Sequence, residues 1–215
     1  YHEIAIDPDG NKRYLMEERE HSLAGIPEIK KWVSERPGGK ILDIGCGPGW
    51  FLSSLGSEWD CYGVEVSTFA SKIASKSGTV YNGTLEEYTE TGFDVIVMNH
   101  VIEHIADPIS VLKKVKNILN DDGVLIIGTP DFDSAAARRY GDNFRLLDDP
   151  THVSLFSQES MYRCLRDLGF HVDDVEFPYF ATPWFNKDDL LKILDDKGIS
   201  PPFYGSNMTF LCSIK

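Results

Sequence analysis

Three apolar runs organise the middle of the chain: KILDIGC over residues 40–46, FDVIVMN over 93–99 and GVLIIGT over 123–129. None alternates strictly with polar residues, so each predicts a strand covered on both faces, as in a parallel sheet. Between the last two, residues 108–120 place Val111, Leu112, Val115, Ile118 and Leu119 at helical spacing, with Lys113, Lys114 and Lys116 opposite. That pattern predicts a helix lying on one sheet face. Shorter elements fill the interval: a strand at 61–65, a helix over 67–75 and a brief strand at 79–81. Further on, Ser157 is a good N-cap for a helix running to Leu168, and Gly169 stops it. A strand over 170–177, a helix near 187–197 and a closing strand over 207–215 follow. The last two strands are expected to pair as an antiparallel ribbon at the sheet edge. Strands alternating with helices predict an α/β fold with a doubly wound, mostly parallel sheet.

Composition narrows the class. At 215 residues with 42% hydrophobic side chains, the chain can bury roughly 70% of its unfolded surface as one domain, needing neither metal nor disulfide. Thirty-four acidic against 21 basic residues leave a net charge of −13, so no global field gathers phosphates and nucleic acid is not the expected partner. Cys46, Cys61, Cys164 and Cys212 are scattered, without the spacing of a zinc knuckle or disulfide framework, which fits a reducing cytoplasm. No apolar run is long enough to span a membrane, and no charged-then-apolar leader opens the chain. It begins at Tyr1, which leaves open whether a preceding segment was removed.

The chemistry begins where the first strand ends. Gly45, Cys46, Gly47, Pro48 and Gly49 form a turn predicted to enter a helix packed on the sheet through Trp50 and Phe51. Glycines let a ligand approach bare backbone, and a helix start offers free N–H groups to a carboxylate. Twenty residues after Gly45, Glu65 closes the second strand, where a carboxylate can accept both hydroxyls of a ribose. Together these signals predict a nucleoside ligand. Trp50 stands where the dinucleotide fingerprint has its third glycine, which disfavours a pyrophosphate. Asp43 and Glu65 instead make the site acidic, suiting a ligand with an ammonium and a sulfonium.

DIGCGPG with GVEVS, then FDVIVMNHVIEHIADP and GVLIIGTP, resembles the class I S-adenosylmethionine-dependent methyltransferases over residues 40–130. The likeness continues through PTHVSLFSQESMYRCLRDLGF in the manner of small-molecule and polysaccharide-pathway members. It implies a Rossmann-like, seven-stranded sheet with an antiparallel edge strand, in a single domain over 1–215. Within it, 1–38 would be an N-terminal helical segment, 39–130 the cofactor-binding core and 131–215 an acceptor-side and lid region. By the resemblance, Gly45, Cys46 and Gly47 line the amino-acid end of S-adenosylmethionine, beside the acidic Asp43. Glu65 and Val66 hold the ribose and adenine edge, and Gly83, Thr84 and Leu85 meet adenine. Many members carry Asp where this chain has Thr84. Asn99, His100 and Val101 would pass beneath the methionine portion.

Methyl transfer to a hydroxyl needs a positioned nucleophile and a group that takes its proton. His100, Glu103 and His104, at i, i+3 and i+4, are predicted to point one way from a helical turn, and His152 follows the fifth strand on the same sheet edge. Three roles are open: a structural cap, a proton relay, or a divalent-metal site. A similar Glu-x-x-Glu-His pattern with a later His binds a divalent ion in ubiquinone-pathway and small-RNA members, but here His100 replaces the first Glu. His152 is the expected base, with His104 orienting it. The aromatic stretch from Phe177 through Trp184 and Phe185 reads as an acceptor lid or as a satellite cluster. Arg138, Arg139 and Arg145 read as a phosphate hold or as a solvated face. Tyr14, Leu15 and Met16 are placed to close over the cofactor. The expected activity is O-methylation of a sugar or related polar metabolite. The alternatives are a phenolic or quinone-like acceptor, or a binding module without catalysis.

Overall fold

A computed structural model describes residues 4–6, 12–14, 26–134, 137, 138, 141, 149–177 and 206–214. Two short strands, β1 (Ile4–Ile6) and β2 (Lys12–Tyr14), pair antiparallel ahead of helix α1 (Ile26–Ser34). Among the described residues of the N-terminal stretch, 4–6 and 12–14 are thus strands and 26–34 a helix. Ile-Ala-Ile is too short and too β-prone for a helix, and Pro8, Asp9 and Gly10 between the strands are helix breakers. In α1, Ile29, Trp32 and Val33 recur at helical spacing and all three are buried.

The main sheet has seven strands: β3 (Gly39–Ile44), β4 (Trp59–Glu65), β5 (Thr79–Asn82), β6 (Phe93–Asn99), β7 (Leu119–Pro130), β8 (Phe170–Glu176) and β9 (Asn207–Ile214). Their order is β5-β4-β3-β6-β7-β9-β8. The first five run parallel, and β9 is antiparallel to both β7 and β8. The antiparallel ribbon is at the edge, as its sequence predicts, with β9 on its inside and β8 on the rim. That insertion has a consequence for the site: β9 starts where the parallel strands end.

Helix α2 (Thr68–Ala74) is capped by Ser67, and α3 (Pro108–Ile118) opens with Pro108 at its first turn and the Asp107 side chain accepting the Ser110 N–H. Helix α4 (Gln158–Asp167) carries a reciprocal cap between Ser157 and Ser160. One core packs Leu42, Ile96, Met98, Leu125 and Phe210 beneath α3 and α4; the other packs Ile41, Val97 and Ile126 beneath α1.

The helix expected after the glycine turn is absent. Only one 3-10 turn, Leu52–Ser54, connects it to β4. Ser53 and Ser54 donate their hydroxyls to the carbonyls of Trp50 and Phe51, three residues back, a local bonding that competes with helix continuation. Phe51 is nevertheless buried against the sheet, as its sequence position predicts. The helix expected near 187–197, the residues from Tyr179 to Phe185, Leu15, Met16, Arg139 and Arg145 lie outside the described residues.

Candidate active site

Every loop that carries a chemical group leaves the C-terminal edge of the parallel strands, where ligands sit in open α/β sheets. The glycine turn comes first. Gly45, Gly47 and Gly49 all have positive φ, at 72°, 52° and 80°, a conformation that side chains resist. A Cβ on Gly45 would also run into the Val101 side chain, so this turn and the loop after β6 are in contact. Cys46 offers a ligand backbone only. Its side chain is buried in the core and its sulfur sits over Gly63, which is why burial raises its thiol pKa.

With no α-helix following the turn, its free N–H groups do not stand at a helix start. One of them is already matched. The Gly47 N–H donates to Glu65 Oε2 at 2.9 Å, and the Ser67 N–H donates to Oε1 at 2.7 Å. The buried carboxylate thus joins the two cofactor-side loops, each oxygen keeping a second lone pair for a ribose hydroxyl. Asn82, which the sequence reading passed over, braces the same corner: its Nδ2 donates to the carbonyls of Glu65 and Val66. Its only sequence signal is its place at the end of the neighbouring strand. Val66 is 64% exposed, an apolar side chain left open beside the carboxylate, as an adenine ring would require. Gly83 donates its N–H to the Glu65 carbonyl; Thr84 is exposed and Leu85 is buried at the start of the 3-10 turn Leu85–Glu87.

Asp43 lies buried beneath this turn. Its pKa is pushed up to about 8, first by burial and then by the Glu65 carboxylate. Without ligand, Asp43 is therefore mostly protonated at neutral pH. An incoming cation would favour the ionised form of Asp43.

After β6 the chain turns sharply at His100, whose φ is 53°. Glu103, 1% exposed, holds this turn together. Its Oε1 lies 3.2 Å from His100 Nδ1, and its Oε2 accepts the Thr129 hydroxyl at 3.1 Å. Its carbonyl accepts the N–H groups of Val153 and Ser154, so the segment bearing His152 is fastened to the same residue. Burial raises the Glu103 pKa, but the hydrogen bond and charge of His100 outweigh it, and the carboxyl is held below its usual range.

His104 ends the 3-10 turn Ile102–His104 and is exposed. Its Nδ1 is 3.0 Å from the Thr151 carbonyl, which can only accept, so Nδ1 carries the hydrogen and Nε2 the lone pair in neutral His104. The rings of His104 and His152 meet edge to face at 4.8 Å between centroids. Asp149 Oδ2 stands 3.9 Å from His152 Nε2. The expected convergence is partial: Glu103, His104 and His152 bring ligand atoms within 4.8 Å of one another, whereas His100 turns to Glu103. A neutral imidazole braced by a carbonyl, a second imidazole and a carboxylate also fit a divalent transition ion.

Arg138 donates two hydrogen bonds to the Asp133 carboxylate, at 3.0 and 2.8 Å, and a third to its carbonyl, which weakens the expectation that it holds a phosphate. Phe177 packs on the core. Among the described residues no helix is long and apolar enough to cross a membrane.

Comparison with known proteins agrees with this geometry. The methyltransferase-domain model matches residues 15–175. The chain resembles a SAM-dependent methyltransferase of Thermotoga maritima at 27% identity, covering 91% of both chains with a TM-score of 0.68. A SAM-dependent methyltransferase of Archaeoglobus fulgidus shares the fold at 18% identity, over 91% of this chain and 94% of the other, with a TM-score of 0.66. Among sequence relatives, a ubiquinone biosynthesis O-methyltransferase of Glaesserella parasuis is 26% identical over 183 residues, 70% of this chain and 75% of that protein. With the glycine turn, the Glu65 carboxylate and the seven-stranded sheet in place, the chain belongs to the class I S-adenosylmethionine-dependent methyltransferases.

Proposed function

We propose that this enzyme transfers a methyl group from S-adenosylmethionine to a hydroxyl of a small polar metabolite, of the sugar type, with His104 receiving the proton. The observation that carries the reading is the tautomer of His104: the Thr151 carbonyl fixes the hydrogen on Nδ1, leaving Nε2 as a base at the sheet edge. The acceptor oxygen bonds to the methyl carbon as the carbon–sulfur bond breaks. The hydroxyl proton passes to Nε2, and S-adenosylhomocysteine leaves. Glu103 and Asp149 both feel the charge of His104 and would stabilise the imidazolium that forms. His152, whose side chain is only 6% exposed, is better suited to packing His104 in place, the reverse of the roles that spacing assigned. Gly45, Gly47, Glu65 and Val66 would hold the cofactor, and Asn99, His100 and Val101 would line the path between it and the acceptor.

A phenolic or quinone-like acceptor is the second reading. Val153 and Leu155, both exposed, lie just after His152 and offer an apolar rim, and relatives include ubiquinone biosynthesis O-methyltransferases. Incubation of the protein with S-adenosylmethionine and separate pools of sugar nucleotides and catechols, followed by detection of S-adenosylhomocysteine, tests both. Turnover on the sugar pool supports the first reading, and turnover confined to catechols replaces it with the second.

A further inference from the structure

Register places Asn99 opposite Gly128 and Gly128 opposite Thr209, one row across β6, β7 and β9. Two residues toward the opposite sheet edge, the equivalent row is Val97, Ile126 and Leu211, which belongs to the apolar core under α1. The same sheet face thus changes from apolar to polar at the edge where the catalytic loops emerge. Gly128 makes room for the change. A Cβ there would collide with Asn99 Oδ1 and sit 3.4 Å from Thr209 Oγ1, so both polar atoms lie over its bare backbone. Among the described residues, neither side chain has a hydrogen-bond partner.

The next residue on this face of β9 is Asn207, opposite Pro130 and 2% exposed. Its Nδ2 donates to Ser206 Oγ at 2.8 Å, but its Oδ1 is buried without a partner. Exchanging the amide oxygen and nitrogen would only move the deficit to the other atom. A buried carbonyl left unmatched is costly, and a folded chain seldom keeps one without use. Pro130, directly across, has no N–H to offer.

We propose that Asn99, Thr209 and Asn207 form a hydrogen-bonding subsite for the hydroxyl-bearing part of the methyl acceptor, with Asn207 Oδ1 receiving one of its hydroxyl protons. Asn207 and Thr209 on β9 lie three strand spacings, about 14 Å, from the glycine turn on β3, whereas Asn99 on β6 lies one spacing away, so the subsite reaches from beside the cofactor toward β9. Two amides and a hydroxyl can each donate or accept, matching vicinal hydroxyls rather than an aromatic face. The subsite deepens the proposed function and rests on its placement of the acceptor at this edge.

The test uses the full chain loaded with S-adenosylhomocysteine, with methyl glucopyranoside and catechol as probes. Side-chain amide NMR signals of Asn99 and Asn207 should shift with the pyranoside and not with catechol. Asn207→Leu and Thr209→Val should each weaken pyranoside binding by about tenfold, while affinity for S-adenosylhomocysteine stays within about twofold of wild type. Should Asn207→Leu fail to fold, Thr209→Val decides alone. Unperturbed amides, or equal losses on both probes, overturn the subsite. Pyranoside binding without turnover would leave the subsite standing and count against proton transfer to His104 instead.

Discussion

Glu65 and Gly47 are joined by a 2.9 Å hydrogen bond from the Gly47 N–H to the Glu65 carboxylate, which closes the glycine turn onto the end of the second parallel strand. The other carboxylate oxygen takes the Ser67 N–H, so one side chain fixes both loops that would face the adenosyl group. Glu65→Gln replaces one acceptor oxygen with an NH2 group facing a backbone N–H. Affinity for S-adenosylhomocysteine should fall by about tenfold or more, and stability by about 1–3 kcal/mol. Calorimetric titration and thermal unfolding of the variant read the two effects separately.

Asp43 makes both stability and cofactor binding depend on pH. An unfolded aspartate ionises near pH 3.9, whereas in the fold burial and Glu65 push the pKa up to about 8. From about pH 4 upward the unfolded chain loses this proton while the folded chain keeps it. The contribution to stability is therefore full below pH 4 and lost as pH rises to about 8. Asp43→Asn should flatten that part of the stability curve. A bound sulfonium and ammonium favour ionised Asp43, so S-adenosylmethionine binding at neutral pH should release a proton and tighten toward pH 8. Titration in buffers of different ionisation heat counts the proton, and a count of zero would dismiss the coupling.

Gly45→Ala combines two penalties, a side chain at φ 72° and a collision with Val101. Yielding Val101 would move the loop after β6 relative to the glycine turn. Cofactor affinity should fall further than in Val101→Ala, which opens space without straining the backbone. The two dissociation constants, measured side by side, give the comparison.

Much of this was legible in the sequence, because buried strands and capped helices are local signals. FDVIVMN became β6 and Ser157 became a cap without help from distant residues. The missing helix after Gly49 is a local failure of another kind: Ser53 and Ser54 satisfy nearby carbonyls that helical pattern-reading leaves for backbone N–H groups. The placement of Asn207 and Thr209 was invisible for a different reason. It depends on which strand lies beside β7, and the insertion of β9 between β7 and β8 joins residues about 80 positions apart. Spacing found the histidines, but it did not reveal the Thr151 carbonyl that sets the tautomer of His104.

That carbonyl separates the possible roles of the cluster. If His104 Nε2 takes the acceptor proton, His104→Ala should lower kcat by about 10²- to 10⁴-fold with affinity for S-adenosylhomocysteine unchanged. His152→Ala should cost less, because it removes a packing partner at 4.8 Å rather than the base. Greater loss in His152→Ala would return the base to the residue that spacing favoured. The same atoms converge well enough for an ion, so dialysis against a chelator belongs beside the variants. A proton relay predicts unchanged turnover after dialysis. Turnover that vanishes and returns with an added divalent ion would assign Glu103, His104 and His152 to the metal, and the two histidine variants would then fail together.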